Sequence, residues 1–179
     1  MVQRLGVDAK AFQDEWLRHH EGRQPIRWML RESGLPWVRF HALPGSKRYA
    51  ENEDERQTII FRASALGDRL LGAGAPCWLV EVRTEEAQGV GSYAGEHVVD
   101  CLPWRLYVQA VEWQRGTFDV MLTAIANDEA WPTLWMNRNS GAIFSPYDGG
   151  FDLFPHSHGE VESLKAEWAD WLSPYPHGL

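Results

Sequence analysis

The apolar residues Ile59, Ala63, Leu66 and Leu70 recur at spacings of four, three and four, and then the chain changes period altogether. Gly72 and Gly74 follow, and Cys77–Arg83 reads CWLVEVR, an apolar run rich in strand formers. The first spacing places one apolar stripe on a helix over 54–71. The glycines end that helix and the run after them predicts a strand. A one-sided helix followed at once by a strand must bury its stripe on a sheet, which sets helix-on-sheet layering.

The remaining segments extend that pattern. Asp8 to Glu21 predicts a helix with Phe12, Trp16 and His20 on one face, Asp8 as cap and Gly22 as stop. Ile26–Leu30 and Trp37–Leu43 read as short extended segments, separated by Gly34 and Pro36 and closed by Pro44-Gly45. Residues 46–56 are a polar loop, and 84–100, with three glycines and several charges, read as a long loop. Trp104–Trp113 is a strand. Residues 117–126 admit two readings. As the return strand of a hairpin they set Glu112 opposite Asp119, an unfavourable pair of like charges. As a helix, Thr117 caps and Phe118, Met121, Leu122 and Ile125 share a face, and this is the predicted state. Thr133–Asn137, Ala142–Ser145 and Phe151–Phe154 are short strands. Ser157-x-x-Glu160 is a capping box ahead of a helix carrying Val161, Leu164, Trp168 and Trp171, which Pro174 stops. The sum is one α+β domain over 1–179, a mainly antiparallel sheet with three or four packed helices.

Charge bears on function. Residues 1–83 hold 13 Lys/Arg against 11 Asp/Glu, and residues 84–179 hold 4 against 14. An acidic half argues against nucleic acid, which needs clustered Lys/Arg. It suits a basic protein partner, since complementary fields speed encounter. No apolar leader opens the chain and no run is long enough to span a membrane, so a cytoplasmic protein is expected. Cys77 and Cys101 are the two cysteines, expected as reduced structural thiols.

The stretch SPYDGGFDLFPHSHGE, residues 145–160, gathers Tyr147, Asp148, Asp152, His156, His158 and Glu160. Its carboxylates and His-x-His offer metal or acid/base chemistry if they converge. Turn chemistry explains more of them: Asp148 bonding nearby amides, Gly149 and Gly150 permitting positive φ, Ser157 and Glu160 closing the box. Tyr147, Asp148, Asp152, His156 and His158 are therefore a candidate functional corner, with no metal and no cofactor expected. His19 and His20 fit a helix C-terminus. Alternation over 37–43 sets Trp37, Arg39 and His41 on one face, expected to be exposed and able to meet an anion or to stack Arg39 on Trp37. There is no G-x-S-x-G elbow and no phosphate-binding glycine motif; Gly89-Val-Gly91 is a lone G-x-G.

Several pieces together resemble a bacterial family known only as domain of unknown function 3885, with actinobacterial relatives. They are Trp37-Val38-Arg39-Phe40, the helix around Arg62-Ala63, GTFDVMLTAIANDE at 116–129, SPYDGGFDLF at 145–154 and WADWLSPYPHGL at 168–179. Tyr147, Asp148, Gly150 and Asp152 fit the family's Tyr-Asp-x-Gly-x-Asp element. The resemblance spans about residues 35–179 and implies no established activity. Small proteins of this kind are similar to immunity partners of bacterial toxins.

The leading expectation is a protein-binding module, in its sharpest form an immunity protein, using an acidic face with Glu112, Asp119, Asp128, Glu129 and Trp131. The alternatives are an enzyme built on the 145–160 Asp/His cluster and a homodimer with interfacial tryptophans, of which the chain has ten.

Overall fold

A computed structural model describes residues 6–86 and 91–173. Pro174, Gly89 and the last residues of the WADWLSPYPHGL segment lie outside the described residues.

The elements run α1 Ala9–His20, α2 Arg27–Glu32, β1 Val38–His41, α3 Glu53–Leu71, β2 Ala75–Arg83, β3 Ser92–Val99, β4 Leu102–Trp113, α4 Asp119–Ala126, β5 Thr133–Asn137, β6 Ile143–Tyr147, β7 Gly150–Phe154 and α5 His158–Glu167. The strands form one sheet in the order β1-β7-β6-β5-β2-β4-β3. Every neighbouring pair is antiparallel. The α+β expectation holds.

Both faces of the sheet are covered. Alternation along β2 sends Cys77 and Leu79 to one face, where Ile59, Ala63 and Leu66 of α3, Leu122 and Ile125 of α4, and Val161 and Leu164 of α5 pack. It sends Trp78, Val80 and Val82 to the other, against Ala9, Phe12 and Trp16 of α1 and Leu30 of α2. Trp16, Trp78, Trp113 and Trp135 are consumed by these cores rather than left for an interface.

α3 begins where Asn52 accepts the Glu55 amide, and its three acidic first-turn residues suit the helix N-terminus. It ends at Gly72, φ 90°. At Gly67 the helix approaches the sheet so closely that a Cβ would stand 2.0 Å from the Trp113 ring.

Three expectations are corrected. Ile26–Leu30 is not extended: Leu30 N–H donates to Ile26 O at 3.0 Å, and the two side chains, one turn apart, are both fully buried. A short apolar run carries no decisive period, and burial of an i, i+4 pair chose the helix. The expected loop 84–100 contains β3. Its register slips between Tyr93 and Gly95, and Gly95 adopts φ 131°. The glycine marks a bulge in an edge strand rather than a loop. Residues 119–126 are helical as expected, but Phe118, not Thr117, holds the N-cap position, and no side chain caps it. Glu112 pairs with Pro76 across β2 and β4, away from Asp119.

Candidate functional site

The 145–160 corner is a hairpin followed by a helix start. β6 and β7 pair with Tyr147 opposite Gly150, leaving Asp148-Gly149 as the turn. β1 closes on the outer side of β7, with Arg39 opposite Asp152. Gly150 allows that approach, because a Cβ there would meet Phe40 O at 2.2 Å.

Asp152 is a strand residue, as expected for 151–154, and it is fully buried. A buried carboxylate survives only when paired and hydrogen-bonded. Arg39 supplies both bonds, Nε to Oδ1 at 2.7 Å and Nη2 to Oδ2 at 2.8 Å. Arg27 Nη1 adds a third at 3.0 Å, and Arg31 Nε stands 3.9 Å away. Burial disfavours the Arg39 cation, but its bonds to Asp152 outweigh this and hold its pKa above the usual range. Burial shifts Arg31 downward, against the pull of Asp152.

Two aromatic rings frame these guanidiniums. Tyr147 lies 4.5 Å from Arg27 and 4.7 Å from Arg39. Trp37 lies 5.6 Å from Arg39 and 5.8 Å from Arg31. The stacking of Arg39 on Trp37 is thus present. The expected exposure of the row is not, since Arg39 and His41 are buried. β1 is an edge strand in sheet order, yet α2 and Tyr147 cover its Arg39 side. Burial pushes the Tyr147 phenol up to about 12.

Asp148 occupies the turn but is held by side chains: Arg48 Nε donates to it at 2.7 Å and Tyr49 Oη at 2.9 Å. His156 and His158 are exposed at the start of α5. There the Ser157–Glu160 box forms: Ser157 Oγ accepts the Glu160 amide, and Glu160 accepts the His156 amide. Asp148, Asp152 and the two histidines do not converge. Among the described residues no group of three His, Cys, Asp or Glu side chains is placed to hold a metal ion.

The acidic set divides. Glu112 is exposed on β4, and Asp119 is in the first turn of α4. Asp128 and Glu129 are exposed just beyond the other end of α4, with Asp128 at φ 60°. Trp131 follows, half-buried, with the Arg83 guanidinium 5.8 Å from its ring. A hollow of about 120 Å³ joins this end of α4 to the hairpin turn; Asp128, Trp131, Tyr147, Asp148, Ser145 and Arg27 line it. Four residues from two separately predicted sets thus meet: Asp128 and Trp131 from one, Tyr147 and Asp148 from the other.

Sequence reasoning missed Arg27, Arg31, Arg48 and Tyr49. The first two carry an i, i+4 signal that appears only once 27–32 is read as a helix.

A family model described as Domain of unknown function (DUF3885) matches residues 26–98 and 91–176. The match takes in the Asp152 cluster and the hollow and leaves out α1. No curated protein matches the chain, and no solved structure does.

Proposed function

The chain belongs to the family of domain of unknown function DUF3885, and from that premise we propose that it is a protein-binding module whose acidic, tryptophan-bearing face receives a basic partner. The observation that carries this is the meeting of Asp128, Asp148, Trp131 and Tyr147 around one hollow.

Asp128 and Glu129 stand where the backbone already disfavours them. A helix C-terminus carries partial negative charge, so acids there cost stability and cations would be preferred. The last turn of α4 holds no basic residue. Acids kept at such a place create a negative potential at low benefit to the fold. Arg27 also lines the hollow, but its charge is engaged by Asp152 and the Tyr147 ring. A partner Lys or Arg side chain entering beside Trp131 gains an aromatic face and the Asp128 carboxylate, while Asp148 stays paired with Arg48. An aromatic anchor ringed by charge is a common hot-spot arrangement.

The sharper form of the reading is a cytoplasmic immunity protein that covers the basic site of a toxin, acting by occlusion and electrostatic attraction. The acidic second half of the chain supports it. An acid/base enzyme would need Asp148, Asp152 and a histidine together; Arg48 and Tyr49 hold the first, Arg39 and Arg27 the second, and both histidines are exposed elsewhere.

The test is affinity capture at low salt from host lysate, with wild type and Asp128→Lys side by side. The expected result is one basic protein, released by added salt and absent from the Asp128→Lys eluate. A specific partner whose association rate is indifferent to salt overturns the electrostatic mechanism.

A further inference from the structure

A hollow of about 450 Å³ opens between α1, the turn that follows it and the edge strand β3. That volume lies within the range of small-molecule sites, about 300–1,000 Å³. Phe12 and Trp16 of α1 and Leu106 of β4 form its buried wall, and Leu17, 59% exposed, stands at its mouth. Water gains little against such a wall, so an apolar ligand body that displaces it is favoured.

One cation faces this wall. Arg23 lines the hollow, and its backbone is fixed at both groups: its N–H donates to His20 O at 2.9 Å, and its O accepts the Trp16 indole N–H at 2.8 Å. Its side chain makes no ion pair among the described residues, and Nε is buried without a hydrogen-bond partner. A half-buried guanidinium without a counter-ion costs stability. The other polar groups of the wall do not supply one. The Glu96 carboxylate is taken up by Arg105 Nε at 3.2 Å. Gln13 donates its side-chain N–H to Ala94 O at 2.8 Å. His97 is shifted down by burial and stays uncharged near neutrality. The result is an apolar wall with a single unanswered positive charge.

We propose that this hollow binds a small carboxylic acid with an apolar body, its carboxylate on the Arg23 guanidinium and its body against Trp16, Leu17 and Leu106. A planar carboxylate matches the guanidinium fork and accepts two parallel N–H bonds from it. Its one negative charge equals the one unpaired cation. A phosphate monoester, with about −1.5 to −2 charge at neutral pH, would set excess charge against the apolar wall. The hollow shares no lining residue with the acidic one beside α4, so this inference does not depend on the basic-partner reading.

Octanoate is titrated into the full chain at neutral pH and constant ionic strength. Acetate, the charge without the body, and 1-octanol, the body without the charge, are titrated beside it. Calorimetry and thermal unfolding follow the binding. Octanoate is expected to fill a single site and to raise the unfolding temperature saturably, beyond acetate. Octanol is expected to bind about tenfold or more weakly, the effect of losing a hydrogen-bonded charge. Arg23→Gln is expected to weaken octanoate by the same factor and to leave octanol unchanged. Arg69→Gln, on the opposite face of the sheet where its guanidinium meets Glu167, is expected to bind octanoate as wild type does. Circular dichroism checks that Arg23→Gln is folded. If it is not, Leu17→Asp, at an exposed position, replaces it and is expected to weaken octanoate. No saturable rise beyond acetate, octanol binding as tight as octanoate, or equal octanoate binding by the folded variant overturns the inference. 3-Phenylpropionate, run beside octanoate, assigns the body: tighter octanoate supports an aliphatic acid, and tighter phenylpropionate an aromatic one.

Discussion

Arg39 and Asp152 face each other across β1 and β7 and share two hydrogen bonds, at 2.7 Å and 2.8 Å, in a site where both residues are buried. The pair fixes the register between the last two strands at that edge, because a one-residue slip would bury both charges unpaired.

Removing one partner should therefore be severe. Asp152→Ala leaves the Arg39 cation buried without its counterion and is expected to lower stability by about 3–5 kcal/mol. Arg39→Met with Asp152→Leu should lose clearly less than the sum of the two single changes. Urea unfolding of the four proteins measures this, and strict additivity would refute the coupling.

His20 makes stability depend on pH. Its Nε2–H donates to Gly141 O at 2.7 Å, and Nδ1 is buried without a partner. Burial lowers its pKa to about 4. The unfolded chain, with an ordinary histidine near 6.5, binds the proton first. The stability from neutral His20 is thus complete above pH 6.5 and lost as pH falls toward 4, at about 1.4 kcal/mol per pH unit. His41 and His97, also lowered by burial, act in the same direction. His20→Gln should flatten the slope of unfolding free energy between pH 6.5 and 4 without removing it. An unchanged slope would show that His20 does not titrate as stated.

Gly67 is a steric requirement of the α3–sheet contact. Gly67→Ala drives a methyl into the Trp113 ring. That indole is fixed by its N–H donating to Asp68 at 2.9 Å and has little room to retreat. A loss of about 1–3 kcal/mol is expected despite alanine's better helix propensity. Tryptophan fluorescence during denaturation gives the value, and a stabilised variant would contradict the packing.

The two thiols should separate cleanly. Cys77 is buried, with its pKa pushed up to about 12 by burial, while Cys101 is exposed. A thiol-specific chromogenic reagent is expected to titrate one equivalent in the native protein and a second only on unfolding. Cys101→Ser should abolish the native equivalent. A fast reaction of Cys77 would show that β2 opens readily.

The sequence by itself determined the elements whose signals are local. The stripe Ile59, Ala63, Leu66 places α3, the run 77–83 places β2, and Ser157 with Glu160 places the start of α5, because periodicity and capping act over one or two turns. The family resemblance was legible in the same way. Tertiary structure decided what depends on neighbours distant in sequence. Ile26–Leu30 became helical because Ile26 and Leu30 found one core, and Ser92–Gly95 became a strand because β4 offered an edge. Above all, Asp152 reads only as an acid within the short strand 151–154. Only the closure of β1 on β7 surrounds it with arginines from 113, 121 and 125 positions earlier in the chain. A carboxylate's pairing is set by which charges the fold brings within a few ångströms, and no local pattern encodes that.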